Sequence, residues 1–77
     1  MRPEIKDAID RYANEHIAPG GFLTAVLENN LSEALGRADE GNLRDIHEIV
    51  KYIYWNIPGV CWGSPEKVER WLSMRED

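Results

Sequence analysis

The side chains able to do covalent or metal chemistry in this chain are few: two histidines, His16 and His47, and one cysteine, Cys61. A transition-metal site needs three or four such ligands at close spacing, and neither a His-x-x-x-His nor a Glu-x-x-His pairing is written here. Glu48 adjoins His47, but successive residues on a helix do not face each other. Cys61 with a distant histidine would make a thiol dyad only beside a base, an orienting group and an oxyanion loop, none of which the sequence places there. His16 reads as a packing residue near the end of the first helix. The Gly20-Gly21 pair offers free N–H groups to an anion, but with no strand before it and no lysine after it the pair reads as a turn. The expectation is a protein that is not an enzyme and that carries neither cofactor nor metal.

Binding residues are easier to nominate. Arg11, Arg37 and Arg44 are the cations to watch. Arg37 follows Gly36 where a cation meets the negative end of a helix, so it reads as a C-terminal cap or as an ion pair with Asp39 or Glu40. Were several subunits to assemble, repeated arginines would line a pocket and hold phosphate bidentately. Asn30 sits within an apolar arc, and a buried amide must be hydrogen-bonded. It reads as a structural amide that caps a loop or fixes register between helices, or as a contact to a ligand or partner. Asn30, Arg37, Trp62 and Arg11 form the candidate ligand-binding set.

Four helices are expected to position these residues. The first covers residues 3–16, with Pro3 at its opening position, Glu4 and Asp7 at the positive end of the dipole, and Ile5, Ile9, Tyr12 and His16 as one stripe. Pro19-Gly20-Gly21 breaks it. The second, residues 21–37, is the central element: at about 100° per residue its apolar side chains, Phe22 and Leu31 among them, span roughly 220°. A surface helix needs a stripe of only about 100° or somewhat more, so this one should touch neighbours on two sides, within its fold or in another subunit.

Asn42 is the expected N-cap of the third helix, residues 43–57, with Asp45 at N3. Leu43, Ile46, Val50, Ile53 and Ile57 make its inward seam, ended by Pro58-Gly59. Tyr52 and Trp55 then point about 100° or more away from that seam, and large outward aromatics mark an interface. Tyr52, Trp55, Phe22 and Leu31 are the candidate interface residues. Ser64-Pro65-Glu66 opens the fourth helix, residues 65–74, with Val68, Trp71 and Leu72 on one face. The expected fold is a small all-α four-helix domain that assembles as a homo-oligomer, a dimer or a higher closed ring.

Composition bounds the rest. Seventy-seven residues make one domain, and at this length a monomer is marginal without a staple. A lone cysteine forms no internal disulfide and fits a reducing cytosol. The opening MRPEIKDAID has no apolar h-region, and no apolar run is long enough to span a membrane. A cytoplasmic location is expected. Fourteen acidic against nine basic residues, net −5, argue against phosphate-driven nucleic-acid binding and fit solubility or a basic partner surface. The acids are interspersed with bases, which weakens a nucleic-acid-mimic reading.

The stretches PGGFLTAVLENNLSEALGRADEGN, IVKYIY and CWGSPEKVERWL together resemble a family of short, uncharacterised proteins carried by bacteriophages and prophages. The likeness runs over nearly the whole chain and is most specific at Pro19–Leu27, Gly36–Asp39 and Cys61–Ser64 with Trp71-Leu72. It carries over no site residue. It implies a small protein acting in the host cytoplasm, early or against host functions. By class-level analogy, such proteins block a host defence by occluding a protein or by sequestering a nucleotide signal. The expected function is therefore stoichiometric binding of a host defence protein. One alternative is a sponge for a small cyclic nucleotide in a pocket between subunits; another is a structural or regulatory adaptor of the phage.

Overall fold

In the computed structural model, residues 1–75 are described, and among them the chain is all-helical. Five helices occur: α1 Pro3–Glu15, α2 Gly21–Leu27, α3 Leu31–Arg37, α4 Glu40–Asn56 and α5 Pro65–Ser73, with a 3₁₀ turn at Gly59–Cys61. None is long and apolar enough to cross a membrane.

The central helix expected over residues 21–37 is two helices. α2 ends at Leu27, Asn29 turns into the left-handed region at φ 62°, and α3 begins at Leu31. Asn30 is the N-cap of α3: its Oδ1 accepts the Glu33 N–H at 3.2 Å, while its own N–H bonds back to the Ala25 carbonyl at 2.9 Å. Asparagine tolerates the left-handed region and its short amide competes with helix continuation, so an Asn-Asn pair followed by Glu at N3 cuts the helix. The over-wide apolar arc was two stripes superposed on one wheel. Asn30 is exposed rather than a buried amide. Asn30→Ala is expected to cost about 1 kcal/mol of stability, the usual worth of an N-cap, measurable as a lowered urea midpoint.

α2 is apolar almost all round. Phe22, Leu23, Ala25 and Leu27 are buried, so it lies at the centre of the molecule, as the central segment was expected to do. Around it pack Ile9 and Tyr12 of α1, Ala34 of α3, Ile49, Ile53 and Ile57 of the α4 region, Cys61 and Val68.

α4 begins at Glu40, earlier than expected, because Asp39 rather than Asn42 is its N-cap. The Asp39 carboxylate accepts the Asn42 N–H at 2.7 Å, and Asn42 is instead a buried residue whose Oδ1 accepts from Arg2 at 2.7 Å. Gly41 permits this clamp, since a Cβ there would lie 3.1 Å from the Arg2 guanidinium carbon. The inward face of α4 is also turned. Ile49 and Ile53 are fully buried, whereas Leu43 and Val50 of the expected seam are 51% and 41% exposed.

The C-terminal part is tied to α1 through polar contacts in the core. Tyr12 donates its hydroxyl to the Cys61 carbonyl at 2.5 Å, and the Tyr12 carbonyl accepts the Trp71 indole N–H at 2.8 Å. His16, the left-handed C-cap of α1, hydrogen-bonds through Nδ1 to the Trp71 carbonyl at 2.9 Å and lies 4.4 Å from the indole ring. Its packing role is therefore as expected. Gly63, at φ 113°, lets its N–H reach the Leu27 carbonyl at 2.7 Å, and Ser64 caps α5 over Lys67.

Candidate functional site

Of the four residues nominated for a ligand, two are brought together and two are not. Asn30 and Trp62 border one cleft of about 80 Å³, together with Val26, Leu31, Ile46 and Val50. Arg37 lies elsewhere: its Nε donates to Glu33 at 2.7 Å, one helical turn back, not to Asp39 or Glu40. Its guanidinium lies across Gly21, where a Cβ would sit 2.9 Å from Nη1. Arg11 is exposed and lines a separate depression with Ala8, Ile17, Ala18 and Pro19. The chain by itself thus holds no site on which all four converge.

Two nominated interface residues turn inward. Phe22 is buried in the core at 8% exposure. Tyr52 is half-buried against α1, where its hydroxyl donates to Asp10 at 2.5 Å and the Lys6 ammonium stands 5.6 Å from its ring. The Tyr52 hydroxyl first, and Lys6 after it, hold the Asp10 carboxyl below the ordinary aspartate range against the opposing effect of burial. The physical reason is the rotation of α4: with Ile49 and Ile53 inward, Tyr52 faces α1.

Trp55 and Leu31 are exposed, at 72% and 67%. The aromatic neighbour of Trp55 is Tyr54, which the sequence reasoning passed over. Tyr54 is 62% exposed and meets the Trp55 ring edge-on at 5.2 Å between centroids. Its other face approaches Trp62 at 6.3 Å. Along the outside of α4, Arg44, His47 and Lys51 fall within an arc of about 60°, between Tyr54 on one flank and Trp55 on the other. All three are exposed, and among the described residues Arg44 and Lys51 hold no ion pair. By the same geometry exposed Glu40 falls within that arc and Glu48 adjoins Trp55, so this face carries charges of both signs between two large aromatics.

Cys61 is not placed for nucleophilic work. It is fully buried, its thiol donates to the Pro58 carbonyl at 3.0 Å, and burial pushes the thiol above its ordinary range, away from the reactive thiolate. Gly20, at φ 93°, makes the turn expected of the Gly20-Gly21 pair. Among the described residues no cluster of three or more His, Cys, Asp or Glu is arranged to hold a metal.

No protein-family model, no curated protein and no solved structure matches this chain.

Proposed function

We propose that the protein is a non-enzymatic, phage-encoded binding protein, a homo-oligomer that occludes a host defence protein stoichiometrically in the cytoplasm. Its contact surface is Trp55 with the mixed-charge face of Glu40, Arg44 and Lys51 beside it. The observation that supports this is the exposure of Trp55 on the outer face of α4, beside two cations that hold no ion pair among the described residues. Tryptophan, tyrosine and arginine are the residues that dominate interface energetics, and two-torsion aromatics lose little entropy when they dock. The phage setting rests on the sequence resemblance alone.

The alternative sponge for a small nucleotide needs a pocket made between subunits, because a cleft of about 80 Å³ is well below the ~300–1,000 Å³ of small-molecule sites. An adaptor role would show neither a trapped nucleotide nor an occluded defence protein.

Trp55→Ala is expected to weaken capture of the host partner by about 2–4 kcal/mol, roughly thirtyfold to a thousandfold, while helix content and melting temperature stay at wild-type values. Titration of the captured partner against both proteins, with circular dichroism on each, measures this. Undiminished affinity in the variant contradicts the assignment of this surface.

A further inference from the structure

On the side of the molecule that carries α3 and α4 lies an apolar strip that no other element covers among the described residues. Leu31 and Leu35 follow each other by one turn on α3, and Leu43, Val50 and Tyr54 run along the adjacent edge of α4. Their exposures are 67%, 43%, 51%, 41% and 62%. Leu31 and Val50 of this strip line a cleft together with Ala34, Ile46 and Trp62.

We propose that this strip is the contact between two copies of the chain, related by a two-fold axis, with a leucine of each copy seated in the cleft of the other. The inference rests on the reading of the protein as an oligomer and is independent of the partner surface at Trp55.

Two observations select a second copy as the occupant. The first is area. The exposed fractions of the five side chains leave on the order of 400 Å² of apolar surface in solvent. A standard interface takes about 800 Å² from each partner, somewhat over half of it apolar, so the strip supplies what one half of a dimer needs. The second is size. A cavity of about 150 Å³ takes a benzene ring, so the ~80 Å³ cleft takes one branched aliphatic side chain and not a nucleotide. The strip that contains this hole also projects the leucines that fit it, which is the self-complementarity a two-fold contact requires. The axis lies on the α3 side of α4, and Trp55, on the far flank of that helix, stays free.

Leu31→Glu and Leu35→Glu test this. Both side chains are at least 43% exposed within one copy, so neither carboxylate is forced into the core of the subunit. Sedimentation equilibrium is expected to give wild type at twice 8.9 kDa, with each variant at 8.9 kDa and unchanged helix content. The dimer dissociation constant should rise about a hundredfold or more, since a charge is desolvated at each of two symmetric positions. Trp55→Ala should keep the wild-type mass. Wild type at 8.9 kDa into the hundred-micromolar range overturns the proposal, as does any assembly that both leucine variants leave intact. Because Trp55→Ala reports on the partner surface and the leucine variants on the pairing surface, failure of one reading leaves the other legible.

Discussion

Leu27→Asp is expected to leave no folded protein. Leu27 closes the buried helix α2, is fully excluded from solvent, and passes its carbonyl to the Gly63 N–H that docks the C-terminal segment. Removing its packing costs about 2–5 kcal/mol. The carboxyl group that replaces it finds no partner there and adds a desolvation penalty of a few kcal/mol even when it takes up a proton. A domain of this length has roughly 5–10 kcal/mol of total stability. Circular dichroism should therefore show a loss of helix at 25 °C with no cooperative melt. A melt near that of wild type would mean that α2 does not occupy the centre of the molecule.

Tyr12→Phe has the next largest expected effect. The ring stays in place, but the Cys61 carbonyl loses the hydroxyl that satisfies it in a fully buried setting. An unpaired buried acceptor costs about 1–3 kcal/mol, which for a domain of this size lowers Tm by roughly 5–20 °C. The pH dependence gives a second, independent signature. Burial above all, with the neighbouring Cys61 and Glu28 charges, pushes the Tyr12 phenol well above the ordinary tyrosine range. Unfolded tyrosine ionises near pH 10, so above that value the unfolded chain releases a proton that the folded chain keeps. Stability from this group is complete below pH 10 and declines as the pH rises beyond it. Tyr52, raised by the Asp10 carboxylate, and Cys61, raised by burial, contribute alkaline slopes common to both proteins. Urea unfolding at pH 8 and pH 11 should show a smaller alkaline loss in Tyr12→Phe than in wild type, and equal losses would place the Tyr12 hydroxyl in solvent.

These two residues also mark how much of the fold was legible in the sequence. Leu27 was readable as core because it lies within the broad apolar arc of the central segment. The openings of α1 and α5 were readable from Pro3 and from Ser64-Pro65, whose chemistry is local. The break at Asn29-Asn30 was written there too, in the asparagine pair and in Glu33 three residues on. An unbroken helical wheel drawn across residues 21–37 concealed it. The rotation of α4 was not legible in that way. Leu43, Ile46, Val50, Ile53 and Ile57 make one acceptable seam, and Asn42, Ile46, Ile49, Ile53 and Asn56 make another. Periodicity does not choose between them; packing against α1 does, by burying Ile49 and tying Tyr52 to Asp10.

The candidate surface inherits that ambiguity. Trp55 points outward in either register, so its exposure was readable. Tyr54 was missed and Tyr52 wrongly preferred because their directions differ by two helical steps, and only the tertiary contact decides which faces solvent. Arg37 was placed correctly at a helix end, but its partner is Glu33 because α3 is a separate short helix in which the two residues stand one turn apart.

The measurement that tests the binding reading most directly is native mass spectrometry of the protein isolated from its host cell, wild type beside Trp55→Ala, before and after mild heating. The expected wild-type spectrum is an oligomer carrying a host protein at a fixed ratio, with that companion absent from the Trp55→Ala spectrum and no small molecule released on heating. An oligomer that instead gives up a few hundred daltons per site on heating, equally in both proteins and without a companion chain, would contradict occlusion of a protein and make the molecule a trap for a small ligand.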